Sequence, residues 1–167
     1  MNSLKIQRFR KNDLVADGGK QFELGKSWCS DFFEIDDNLT TATIDLTFKA
    51  INVDQEPLDN KSIELKLADV SNRGDRKAYV NSASGRSQIK DFFINDLKLS
   101  DTNNADDYFA VLKTAGLYYL YVILELVYNN FIRLFESLAP EVTVHEMKKA
   151  SQNNDEENSR KVIYYGA

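Results

Sequence analysis

The chain has 167 residues, 43% hydrophobic and 28% charged, with a formal net charge of −5, one cysteine and one histidine. Cys29 alone excludes an intramolecular disulfide and cysteine-based zinc sites, and His145 alone excludes multi-histidine metal centres. The size suits a domain that stands without a metal; the N-terminus lacks an apolar signal core, and the longest apolar run, 117–124, is too short to span a bilayer, so a cytoplasmic protein is expected.

Period-two alternation dominates the first two-thirds. Short strands are expected at 4–10 and 21–24, and a weaker helical pattern at 26–35 would bury Trp28, Phe32 and Phe33. Ile44, Leu46, Phe48 and Ala50 alternate with polar residues, as do Ile63, Leu65 and Leu67, so each run reads as a half-buried strand. The link between them, 54–61, holds Pro57, Asp59 and Asn60 and reads as a hairpin loop. Further strands are expected at 77–81, around 92–94 and at 108–114. Ala115-Gly116 then turns the chain into the tyrosine-rich apolar strand 117–124, whose apolar character on both faces predicts a central position. Phe131, Leu134, Phe135 and Leu138 give one helical stripe, with Asn129 or Asn130 as cap and Pro140 as stop. Residues 148–161 read as a linker, after which apolar character resumes at Val162-Ile163-Tyr164-Tyr165. No repeat is visible. The class is mainly β with one or two helices, in a barrel or sandwich.

Charge is unevenly spread. Residues 1–26 carry six basic side chains against three acidic ones, and 73–90 carry five against one, so the acidic excess lies wholly elsewhere. Two basic segments on an acidic body make a local footprint for a polyanion that the total conceals; the alternative is a pair of solvated turns.

The enzymatic candidate is a magnesium-dependent nuclease. Asp45 on one strand, with Glu64 and Lys66 on the next, matches two metal-holding carboxylates and a lysine that orients water. Against it, no proline precedes Asp45, and an E-x-K on an alternating strand is also what a solvated hairpin face looks like. A serine hydrolase is disfavoured because no G-x-S-x-G elbow occurs, and Gly18-Gly19 is followed by no phosphate-loop signature. Asp36-Asp37-Asn38 and Asp106-Asp107 lack calcium-loop spacing and read as turns.

The binding candidates are two polar-basic loops. The first, 8–21, mixes Arg10 and Lys11 with Asn12, Asp13, Lys20 and Gln21; the second, 73–90, contains Arg76, Lys77, Asn81-Ser82-Ala83-Ser84-Gly85-Arg86-Ser87-Gln88 and Lys90. Cations hold phosphates, while Asn, Asp, Gln and Arg match base edges in the major groove.

These segments carry a resemblance. Lys11-Asn12-Asp13 through Gly18-Gly19-Lys20-Gln21 is similar to an N-D-x-x-x-x-G-G-x-Q pattern, and Tyr79 to Lys90 stands where a Y-x-N-S segment and basic arm follow. Together with the late apolar strand and the helix ending near Pro140, the chain over about residues 4–142 resembles the N-terminal effector domain of EcoRII-type restriction endonucleases, which is related to plant transcription-factor DNA-binding domains. The resemblance implies a DNA-binding pseudobarrel of seven or eight strands with one or two flanking helices over 1–147, a linker at 148–161, and the start of a truncated downstream region at 162–167. It implies double-stranded DNA as partner, a nuclease domain of the same chain that uses Mg²⁺, no membrane, and no catalysis or cofactor in this domain. Phosphate contacts are then expected from Arg10, Lys11, Lys26, Arg76, Lys77, Ser82, Ser84 and Lys90. Base contacts are expected from Asn12, Asp13, Lys20, Asn81, Arg86 and Gln88. The second arm is shorter and less basic than the family's, and Lys20 stands where the family has a histidine, so no target sequence is carried over. The alternatives are the small nuclease and a protein-interaction barrel.

Overall fold

Where apolar and polar side chains alternate, the chain is extended: in Lys61–Ala68, Ile63, Leu65 and Leu67 are buried while Glu64 and Lys66 face solvent. The computed structural model describes residues 3–15, 21–50, 61–82, 85–127, 129, 143–147 and 162–166. The chain is mainly β, with ten strands among the described residues: β1 Ser3–Arg8, β2 Glu23–Leu24, β3 Ala42–Ala50, β4 Lys61–Ala68, β5 Arg76–Ser82, β6 Gly85–Gln88, β7 Tyr108–Thr114, β8 Leu117–Ile123, β9 Thr143–Met147 and β10 Val162–Gly166. No described helix is long and apolar enough to cross a membrane.

The chain forms two compact units. The first gathers Met1–Lys11, Thr47–Ser62 and Asn104–Ala167, and the second Asn12–Leu46 and Ile63–Asn103, so the chain passes from one to the other within β3. Strands of the first unit run in the order β3-β8-β7-β1-β10-β9. Central β1 is buried on both faces: Lys5 and Gln7 are as enclosed as Leu4 and Ile6, although their alternation alone predicts one wet face. Phe9 continues this core against the Phe109 ring, centroids 5.3 Å apart. β8 pairs with β7 along its whole length and buries Leu120, Val122 and Ile123. Val162–Gly166, read from sequence as the start of a further region, pairs instead with β1 and β9.

Strands of the second unit run β2-β5-β4-β3, with β6 on β5. Two of its helical segments, Ser27–Phe32 and Phe92–Asp96, are wound wider than an α-helix, the second continuing the α-helical turn Ile89–Asp91. The N–H of Phe33 reaches back to the Trp28 carbonyl and that of Ile35 to Cys29; 64 residues later, Leu97 reaches Phe92 and Leu99 reaches Phe93. Both close through a left-handed residue, Glu34 at φ 57° and Lys98 at φ 58°. Each wide turn buries the two adjacent side chains whose carbonyls take these bonds, Trp28-Cys29 and Phe92-Phe93. This overturns the strand expected at 92–94, and it is a local repeat that residue identities hide. The helix expected over 129–138, the hairpin loop at 54–61 and the linker at 148–161 lie outside the described residues.

Between β7 and β8, Thr114 faces Leu117 across a two-residue connection in which Ala115 and Gly116 both have positive φ, 50° and 78°. Such a hairpin turn favours Asn-Gly, because asparagine tolerates the left-handed region better than alanine. Ala115→Asn is expected to stabilise the protein by about 0.5–1 kcal/mol. Gly116→Ala should destabilise it by about 1–2 kcal/mol, a conformational cost since nothing lies within 4 Å of a methyl there. Urea unfolding midpoints of the two variants check both signs.

Candidate nucleic-acid interface

The second polar-basic segment and the first from Asn12 onward lie in the second unit, and Phe22 joins them. Its N–H donates to the Gln88 side-chain oxygen at 3.0 Å and its carbonyl accepts from the Ala78 N–H at 3.0 Å. Its ring is buried against Phe93, centroids 5.8 Å apart. A second tie lies one turn away: the Lys90 ammonium donates to the Val15 carbonyl at 3.2 Å. Val15 precedes and Phe22 follows the middle of the first segment, while Gln88 and Lys90 end the second. Gln88 is itself held, its N–H donating to the Asp91 carboxylate at 3.2 Å.

These ties reassign four expected contact residues. Lys90 is only 4% exposed and Arg76 only 2%, so neither charge lies on a surface that a phosphate could reach. Arg76 donates to the Leu39 carbonyl at 2.7 Å and braces the turn after the first helix. Asp13 is buried in the short helical turn Lys11–Leu14. The amide oxygen of Gln88 is engaged by Phe22, which removes half of the fork that reads adenine. Charge counting found these residues because a basic side chain looks the same in sequence whether it binds outward or braces a loop inward.

Others remain on the surface. Lys26 is exposed at the start of the first helix, 3.5 Å from Asp37 with both side chains solvated, an ion pair worth about 0–1 kcal/mol. A fully buried leucine such as Leu65 contributes roughly 1.5–3 kcal/mol, so packing and not this pair holds the unit together. The Ser30 hydroxyl, donating at 2.5 Å, and nearby Lys26 hold the Asp37 carboxyl below its usual range. Lys77 is half-buried on β5 opposite Glu23, and Asn12 is half-buried in the helical turn. In the β5–β6 ladder Asn81 pairs with Arg86 and Ser82 with Gly85. Lys20 and Ser84 lie outside the described residues. Arg10 is half-buried and, with Lys11, belongs to the first unit.

Asp45, Glu64 and Lys66 are all exposed, on neighbouring strands β3 and β4. Among the described residues no group of three or more His, Cys, Asp or Glu side chains is placed to hold a metal ion. Sequence reasoning missed Asp107 in the first unit, which it read as a turn residue. Buried, its carboxylate accepts from the Asn104 side chain at 2.7 Å and the Glu125 N–H at 2.8 Å. Beside it, Arg8 donates to the Tyr108 hydroxyl at 2.9 Å, and that bond with the nearby acids raises its pKa despite burial. This cluster is a brace between loop and strand.

Comparison of the chain with family models, with curated proteins and with solved structures finds no match.

The buried braces make a clear prediction. Arg76→Met keeps the apolar stem but strands the Leu39 carbonyl, and it should cost about 1–3 kcal/mol in urea unfolding. A loss below about 0.5 kcal/mol, the range of ordinary surface changes, would place the guanidinium outside the structural core.

Proposed function

We propose that the second unit binds double-stranded DNA, in the cytoplasm, through the middles of its two polar-basic segments. The observation that supports this reading is the pair of bonds Phe22–Gln88 and Lys90–Val15, which join the two segments. The resemblance to the effector domain of EcoRII-type endonucleases supports the same reading. With Arg76, Lys90, Asp13 and Gln88 committed to the scaffold, the contact set narrows. Lys26, Lys77, Ser82 and Ser84 take phosphates; Asn12, Lys20, Asn81 and Arg86 take base edges. The same proposal includes a nuclease domain as partner.

Phosphate neutralisation releases counterions, so log K for a duplex should fall linearly with log salt. Lys77→Ala should reduce the slope by about one and weaken all sequences alike, whereas Lys90→Met should leave the slope unchanged while lowering stability. Affinity that does not vary with salt, or no duplex binding at low salt, contradicts the proposal. A nuclease reading centred on Asp45, Glu64 and Lys66 would instead show plasmid nicking in Mg²⁺ that disappears in Glu64→Ala.

A further inference from the structure

The β7–β8 hairpin of the first unit carries aromatic side chains that the duplex reading does not use. Side chains alternate along β8, so Leu117, Tyr119 and Tyr121 lie on one face and Tyr118, Leu120 and Val122 on the other. Leu117 is exposed and Tyr119 and Tyr121 are half-exposed, while Ile123 at the end of the same face is buried, so this face opens toward the hairpin turn. Lys49, on neighbouring β3, holds its ammonium 5.0 Å from the centre of the Tyr119 ring. Burial pushes the Tyr121 hydroxyl pKa up, and Tyr119 adds to the shift, which places the two phenols together. β7, β8 and their turn hold one charged residue, Lys113, in a chain with 26 acidic side chains. The patch is therefore aromatic and locally cationic.

Aromatic rings stack on any nucleobase, and a cation beside them meets the phosphate. Two positions apart on one strand, Tyr119 and Tyr121 are spaced by about 6.5 Å. Base pairs of a duplex stack about 3.4 Å apart, which hides both faces of every internal base. Only an unpaired, drawn-out strand can lay successive bases on both rings. We infer that Lys49, Tyr119 and Tyr121 form a binding site for single-stranded nucleic acid, with bases stacked on the tyrosines and a phosphate held by the lysine. The site shares no residue with the segments proposed to bind duplex DNA and stands independently of them.

The test is the fluorescence anisotropy of a labelled oligothymidylate of about 20 nucleotides, long enough for such a site, titrated with the full chain at low salt. An abasic strand of equal length, a duplex of equal length and polyglutamate are measured beside it. Oligothymidylate should bind on the order of tenfold or more tightly than the abasic strand or polyglutamate. Tyr119→Leu, which keeps apolar bulk but removes the ring, should weaken oligothymidylate by on the order of tenfold and leave duplex affinity unchanged. Tyr119→Phe should bind like the wild type, and Lys49→Gln should reduce the single-strand salt slope by about 0.7. Matching circular dichroism spectra and melting temperatures show that the variants remain folded; should Tyr119→Leu fail to fold, the abasic comparison and Lys49→Gln decide. Absence of oligothymidylate binding, or equal binding of the abasic strand, overturns the inference. Equal binding of polyglutamate assigns the patch to acidic polypeptides and overturns it too. Oligothymidylate binding that is indifferent to Tyr119→Leu and Lys49→Gln places the strand elsewhere and has the same consequence.

Discussion

The second unit depends on what happens around the backbone of Phe22. A residue between a short strand and the end of a polar loop leaves two strong hydrogen-bonding groups to satisfy, and burial makes leaving them unpaired costly. Here Gln88 and Ala78 satisfy them, from the two strands at the open end of the β5–β6 ribbon, while the ring packs on Phe93. Because the same residue is tied at three points, segments far apart in sequence are held together. Lys90 and Val15 repeat the tie with a charged donor, so the linkage does not rest on a single bond.

The wide helices have a related role. Each follows a short strand, β2 or β6, and each ends in the same pair of long-reach backbone bonds with a left-handed closing residue. A non-glycine residue at positive φ is strained, and the strain is offset where the next residue is driven into the core. Ile35 and Leu99, which follow Glu34 and Lys98, are both buried. The unit thus uses one structural device twice, behind each of the two polar-basic segments.

Much of this was legible in the sequence. The half-buried strands at 42–50 and 61–68, the turn at Ala115-Gly116 and the helix around Trp28 follow from periodicity and turn chemistry. The second helix was not, because Phe92-Phe93-Ile94 is a short apolar run whose period cannot separate strand from helix. The repeat escaped because positions correspond in character, Trp28 with Phe92 and Ile35 with Leu99, and hardly in identity. Among the candidate site residues, the chemistry of Asn81 and Arg86 was readable, but their pairing needed the register. Arg76, Lys90, Asp13 and Gln88 were misassigned because composition records a charge or an amide and not the direction it faces. Burial on both faces of β1 was equally hidden: Lys5 and Gln7 look like solvent positions in sequence, yet both are enclosed.

The central claim is that 15–22 and 80–88 act as one surface because their stems are joined. Amide hydrogen exchange of the full chain, with and without saturating duplex DNA, tests it most directly. Slowed exchange in both segments together, with β7 and β8 unchanged, is the result this account predicts. Protection confined to the first unit, in only one of the two segments, or nowhere, would contradict it.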